Sequence, residues 1–164
     1  MPHHVTAARA ADLPAIAAIY DHEVRTSIST FDLEPPGLAQ WDRRLASREP
    51  GDHLLVALDE GDHVVGYAYS AAYRVRPAYA RTRETSVYLA ESARGRSVGR
   101  LLYDALLPRV AADGIHVVLA LIALPNPASV ALHRSCGFRH AGTVHEVGHK
   151  FGAWIDTAWF ERLL

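Results

Sequence analysis

The sequence predicts an α+β fold, a mixed and mostly antiparallel sheet flanked by helices. Three observations carry this. Strand-like runs outnumber helical ones, two of them are joined by a polar turn too short for a crossover helix, and each amphipathic helical face sits between strands rather than in a helical array. The predicted order is β-α-α-β-β-β-α-β-α-β-β.

After a short opening strand, Asp12 is placed as an N-cap with Pro14 in the first turn. Leu13, Ile16, Ala17, Tyr20 and Val24 then fall on one face of a first helix. A second helix follows Pro36 and carries Leu38, Trp41 and Leu45. His53 to Leu58 and Val64 to Tyr73 alternate as strands around Asp59-Glu60-Gly61-Asp62, a turn that predicts antiparallel pairing. Glu84 to Leu89 is a further strand. Val98, Leu101, Leu102, Ala105, Leu106 and Val110 trace a long amphipathic helix. Ile115 to Ile122 is apolar throughout, as in a strand buried on both faces. A short helix from Ser129 to Ser135 is ended by Gly137, and Phe138 to Phe160 supplies two closing strands around Gly148 and Gly152.

A length of 164 residues with no polar linker or repeat predicts one domain over 1–164. The single cysteine, Cys136, excludes a disulfide scaffold and reads as a small buried hydrophobe. The longest apolar run, Val117 to Leu124, is too short to span a bilayer, and Met1-Pro2-His3-His4 lacks the apolar core of a leader, so a cytoplasmic protein is expected. Seventeen basic against eighteen acidic side chains leave a net charge of −1, which argues against nucleic-acid and membrane-surface partners.

Chemistry concentrates between the Glu84 strand and the long helix, in Arg94-Gly95-Arg96-Ser97-Val98-Gly99-Arg100. Glycines at a strand-to-helix turn let backbone N–H groups converge on an anion, and the helix dipole adds roughly half a positive charge there. The segment lacks the Gly-Lys-Ser/Thr end of a P-loop and the third glycine of a dinucleotide fingerprint. A plain tight turn is the alternative.

Arg94-x-x-Ser97-x-Gly99 resembles the acetyl-CoA signature of the GNAT N-acetyltransferases, Gln/Arg-x-x-Gly-x-Gly/Ala, with Ser97 in place of the usual glycine. The element order matches that superfamily over nearly the whole chain. Within it, Glu84-Thr-Ser-Val-Tyr-Leu, Leu124-Pro-Asn-Pro-Ala-Ser, Leu132-His and Gly148-His-Lys-Phe-Gly-Ala-Trp-Ile-Asp resemble the phosphinothricin and methionine sulfoximine acetyltransferases. The implied architecture is the GNAT fold, the implied cosubstrate acetyl-CoA, and no metal is called for.

The resemblance also implies roles. Amides of Gly95, Arg96, Ser97, Val98, Gly99 and Arg100 would cradle the pyrophosphate, with charge-assisted bonds from the arginines, Arg94 included. Val87, Tyr88 and Leu89 would pair with the pantetheine amides as a neighbouring strand does, one N–H facing the thioester oxygen. Asn126 would contact the cofactor, or else cap the last helix. Glu84 would be the general base for the acceptor amine, its carboxyl partly desolvated at a strand end; an ion pair with Arg83 is the plainer alternative. Thr85 and Ser86 would border the acceptor. Arg74, Val75, Arg76 and Tyr79 lie where the family binds substrate, two arginines beside aromatic rings suiting a carboxylate and a tetrahedral oxyacid. His133 stands where many GNAT enzymes place a tyrosine acid; it would protonate the leaving thiolate, or be a hydrogen-bonded interior residue, with Tyr103 an equal donor candidate. Phe31 is a pocket wall or core.

One motif competes. His145-Glu146-Val147-Gly148-His149 is a literal H-E-x-x-H, whose zinc chemistry needs both histidines one helical turn apart. Gly142, Thr143, Val144, Val147, Gly148 and Gly152 are poor helix formers and the surrounding alternation is β-like; in a strand the two histidines would stand about 13 Å apart at roughly 3.3 Å per residue.

The expected function is therefore acetyl transfer from acetyl-CoA to the amine of a small amino-acid-like acceptor of the phosphinothricin or methionine sulfoximine type, by direct attack. Acetylation of a polyamine or a protein N-terminus, or cofactor sensing without turnover, are the alternatives. A homodimer is implied by the resemblance and by apolar Trp154 and Trp159 near the end.

Overall fold

The computed structural model describes residues 3–164; Met1 and Pro2, part of the segment in which no leader was read, lie outside them. In chain order the elements are β1 (His4–Ala7), α1 (Leu13–Thr26), α2 (Leu38–Ala46), β2 (His53–Leu58), β3 (Val64–Ala72), β4 (Thr82–Leu89), α3 (Val98–Ala112), β5 (Val117–Ala123), α4 (Pro127–Ser135), β6 (Arg139–Lys150) and β7 (Ala153–Leu163). The strands form one seven-stranded sheet in the order β1-β2-β3-β4-β5-β7-β6, parallel only at β4–β5. The α+β class and the element order are as predicted.

Both faces of the sheet are covered, which explains the nearly continuous burial of β2. Leu55 and Ala57 meet Leu102, Leu106 and Val110 of α3, while Leu54, Val56 and Leu58 meet Ile16, Val24 and Trp41 of α1 and α2. Truncating a fully buried member such as Leu102 to alanine costs about 2–5 kcal/mol in transfer and cavity terms.

Three local expectations are corrected. Asp12 does not cap α1: its carboxylate accepts from the Arg9 N–H at 2.8 Å and closes the short 3-10 turn Ala10–Asp12 instead. The last helix begins at Pro127, whose missing N–H costs nothing in a first turn, rather than at Ser129. β5 is not buried on both faces throughout, since Leu121 is exposed.

That exposure has a topological cause. The β4–β5 ladder holds only Thr82↔Val117, Arg83↔Val118 and Glu84↔Leu119. Beyond Glu84, β4 continues along β3 to the pair Gly66↔Leu89, while β5 continues along β7 to Ala123↔Thr157. The two central strands therefore part, and each leaves one edge without a strand partner. A wedge opens in the middle of the sheet.

Candidate active site

The wedge is a cleft of about 700 Å³ running from β4 and β5 to the N-terminus of α3 and across to α4. Val87, Tyr88 and Leu89 line it with the free edge of β4, together with Thr85 and Ser86. Only the backbone of Tyr88 serves this edge, because its ring is packed 5.1 Å from Tyr20 and 5.5 Å from Tyr67 on the α1 face.

Arg94, Gly95, Ser97, Val98, Gly99 and Arg100 border the far end of the cleft; Arg96 does not. Gly95 adopts φ +71° and Ser97 φ +62°, so the chain turns sharply and aims the first amides of α3 at the cleft, where a helix has no internal acceptor for them. The two signature positions differ in reason. Ser97 occupies the left-handed region, which explains why glycine would suit it, whereas Gly99 is required by packing: a Cβ there would lie 2.8 Å from Leu132 of α4. Arg94 is paired with Glu23 of α1, whose other oxygen accepts from Ser27 at 2.6 Å. Arg100 bonds Asp104 and the Ser135 carbonyl, each at 2.8 Å. With these charges matched, the backbone amides are the groups left to bind an anion.

A second cavity of about 360 Å³ lies on the α1 side and contains Glu84. Alternation along β4 puts Glu84, Ser86 and Tyr88 on this face. Ser86, Tyr88, Leu121 and Ala123 border both cavities, so the two communicate through the wedge. Burial pushes the Glu84 carboxyl above its ordinary value, and the positive charge of Arg44 opposes the shift. The Arg83 ion pair expected as the alternative does not form; Arg83 points to the opposite face and pairs with Asp52 at 2.9 Å. Phe31 is a wall of this pocket, held by the α1–α2 connection, where buried Lys150 donates to the Thr30 carbonyl at 2.8 Å.

A long cleft with a strand edge along its side and a helix N-terminus at its end fits a nucleotide-linked thioester. The sequence profile of the acetyltransferase (GNAT) domain matches residues 5–159. This chain belongs to the GNAT acetyltransferases. It is 47% identical over 158 residues to a phosphinothricin N-acetyltransferase of Streptomyces coelicolor, covering 93% of this chain and 91% of the relative. It is 38% identical over 152 residues to an L-methionine sulfoximine/L-methionine sulfone acetyltransferase of Pseudomonas paraeruginosa, covering 92% and 88%. A crystal structure of a GNAT phosphinothricin acetyltransferase from Sinorhizobium meliloti in complex with acetyl-CoA superposes with a TM-score of 0.95 at 39% identity, covering 100% of this chain and 89% of that one. As a GNAT enzyme the protein is an N-acetyltransferase with acetyl-CoA as cosubstrate.

In this acetyltransferase His133 lines the cleft from α4 but is only 5% exposed. Its Nδ1 lies 2.7 Å from the Ser129 carbonyl, which can only accept, so Nδ1 carries the proton and Nε2 accepts from the Tyr103 hydroxyl at 2.7 Å. Desolvation lowers its pKa and keeps the ring neutral. Thr85 Oγ1 stands 3.2 Å from both the Tyr103 hydroxyl and the Leu119 carbonyl, and its single proton serves one of them. Asn126 caps α4, accepting from the Ser129 N–H at 3.0 Å, and also borders the cleft.

Arg74, Val75, Arg76 and Tyr79 enter neither cavity lining. Val75 is 99% exposed, and the loop reaches the Glu84 cavity only indirectly: Tyr73 packs edge-on against Trp159 of its wall at 5.9 Å and against Tyr79 at 5.4 Å. Trp159, read as part of a dimer face, is half-buried in that wall. Glu23, Arg44 and Tyr69 were missed; none sits in a motif, and only the fold brings them to the site.

The H-E-x-x-H segment is strand β6 with a bulge between Val144 and Gly148 and Glu146 at φ +52°. His145 pairs with Asp156 at 2.9 Å while His149 packs on Trp154 at a ring distance of 4.6 Å. Among the described residues no group of three or more His, Cys, Asp or Glu could hold a metal.

Proposed function

We propose that this enzyme acetylates the amine of a small amino-acid-like acceptor of the phosphinothricin or methionine sulfoximine type, by direct attack with Glu84 as general base. The observation that carries this is the half-buried Glu84 carboxyl in a compact pocket that opens onto the cleft at Ser86 and Tyr88. The acceptors named for the Streptomyces and Pseudomonas relatives support the substrate class. Acetyl-CoA supplies the activated acyl group.

The residues of this chain divide the work. Glu84 takes a proton from the acceptor ammonium, raising the fraction of free amine. The free β4 edge, Val87 to Leu89, aligns the donor's amides, and one of its N–H groups faces the thioester oxygen as negative charge gathers there. As the C–N bond forms and the C–S bond breaks, the attacking nitrogen sheds its remaining extra proton and the sulfur gains one, so that proton balances the step. We assign His133, whose single ring proton is held by the Ser129 carbonyl, to the sulfur end of the cleft as a hydrogen-bonding group with Tyr103 as its partner, and not as the source of the proton. The first amides of α3 and the Gly95–Ser97 turn hold the pyrophosphate. Arg74 and Arg76, on the loop that Tyr73 anchors to Trp159, would meet the acceptor's acid groups, with Val75 and Tyr79 beside them, as the family resemblance implies.

We read the enzyme as a single domain and a homodimer, as the family resemblance implies, with the exposed Trp154 of β7 in the contact. We place it in the cytoplasm, where a free thiol such as Cys136 stays reduced.

The test is thiol release from acetyl-CoA with a panel of phosphinothricin, methionine sulfoximine and spermidine, run on wild type and Glu84→Gln. The oxyacids should be preferred, and the variant should lose about 10²–10⁴-fold in kcat/KM with acetyl-CoA affinity changed by no more than a few-fold. Wild-type turnover in Glu84→Gln, or spermidine as the best acceptor, overturns the reading.

A further inference from the structure

Glu84 is the one formal charge in the lining of the acceptor pocket, and the groups packed around it are almost all neutral. Tyr69 of β3, Tyr20 of α1, Ser86 and Tyr88 of β4 and Thr157 and Trp159 of β7 surround the cavity. The exception is Arg44, in the last turn of α2. Its guanidinium carbon sits 3.7 Å from the centroid of the Tyr69 ring, and Trp41 closes the same corner, its ring centroid 5.9 Å from that carbon. In the β3–β4 register Tyr69 faces Ser86 while Glu84 faces Ala71, so Tyr69 is the diagonal neighbour of Glu84 on one face of the sheet. The cation is thereby held on the ring next to Glu84, close enough for its charge to act on the carboxyl but with no ion pair between the two within 4.0 Å.

Arg44 is also unusually free of other duties. Among the described residues it joins no ion pair within 4.0 Å, and its buried Nε has no hydrogen-bond partner. Arg83, next to Glu84 in sequence, cannot substitute, because it lies on the opposite face and is committed to Asp52. A half-buried positive charge with no ion-pair partner of its own can act through space on the Glu84 carboxyl, where the surroundings are less polar than water.

We propose that Arg44 is a positioning residue for the reaction: held on the face of Tyr69, its guanidinium is the counter-charge that keeps the Glu84 carboxylate ionised and ready to take the acceptor's proton. The inference rests on Glu84 being the base. It separates the arginine from a mere helix-end cation or a packing contact, since neither of those would touch the pH dependence of turnover.

The experiment is the pH profile of kcat/KM for methionine sulfoximine in wild type, Arg44→Met, Arg44→Gln, Arg44→Lys and Glu84→Gln. Arg44→Met retains the apolar stem over Tyr69 and Arg44→Gln ends in a polar group, so either one that folds reports the loss of charge. The wild-type profile should have an acidic limb that disappears in Glu84→Gln. Removing the charge should move that limb to higher pH, giving a several-fold loss below it and near-wild-type kcat/KM on the plateau; Arg44→Lys should restore its position. A limb that stays in place in both neutral variants overturns the role of Arg44 while leaving that of Glu84 intact. So does a rise in acceptor KM that is equal at all pH, which would mark a direct acceptor contact. If Glu84→Gln leaves the wild-type limb unchanged, the base assignment fails and the inference falls with it.

Discussion

The ring of Phe31 lies directly against the backbone of Gly148. A Cβ on that glycine would fall within 3.0 Å of three ring carbons, the farthest at 2.9 Å, so the proposed acceptor pocket owes one wall to the absence of a side chain on β6. Residues 117 apart in sequence thus set the width of the site. Gly148→Ala should push Phe31 into the pocket and raise the acceptor KM, with the acetyl-CoA KM nearly unchanged because Phe31 is not part of the cleft. Steady-state kinetics with each substrate varied in turn checks the split; equal changes in both constants would mean that the sheet, not the pocket, had moved.

Glu84 should cost the protein stability at neutral pH. Its folded pKa is raised by burial, so the chain pays no penalty below the unfolded carboxylate value and loses stability as pH rises through the folded one. Glu84→Gln, which cannot ionise, should therefore unfold at higher denaturant than wild type at pH 8, and the gap should shrink as the pH is lowered through the carboxylate range. Urea titrations across that range give the sign directly.

Tyr103→Phe removes the donor that satisfies His133 Nε2. A buried ring nitrogen left without a partner costs about 1–3 kcal/mol, and the change should be visible in urea unfolding. An unchanged midpoint would mean that another donor reaches the imidazole.

Ser97 holds a left-handed conformation at φ +62°, which costs an L-residue on the order of 1 kcal/mol relative to glycine. Ser97→Gly should raise Tm by about 2–4 °C for a chain of this size. Acetyl-CoA affinity should be preserved, since the turn's amides keep their direction. A lower Tm would show that the serine side chain stabilises the turn more than its backbone strain costs.

Loss of either arginine of the Arg74–Arg76 loop should weaken acceptor binding specifically if that loop meets the acceptor. Arg74→Ala or Arg76→Ala is expected to raise the KM for methionine sulfoximine by roughly 10–150-fold, the worth of a charge-assisted hydrogen bond, and Arg→Lys to rescue it only in part if the contact is bidentate. Unchanged acceptor KM in both alanine variants would remove the loop from the site.

What the sequence by itself determined is what neighbouring residues decide among themselves. The period of Leu102, Leu106 and Val110 identified α3, the Asp59–Asp62 turn joined β2 to β3, and Arg94–Arg100 marked the strand-to-helix turn at the cleft. Even the strand reading of His145–His149, against a metal-binding motif, followed from local β-propensity. Tertiary structure decided the rest. Whether β4 and β5 stay paired or part depends on where their three-pair ladder stops, which no feature within either strand announces. It also decided that Gly99 serves packing against Leu132, that Asp12 turns back to Arg9, that Arg94 is matched by Glu23, and that Arg44 reaches the neighbourhood of Glu84 across Tyr69. Propensity and turn chemistry act over a few residues and are written in the chain. Side-chain contacts, burial and the electrostatics that follow from them join residues from separate elements, and exist only once the sheet and its helices have closed around them.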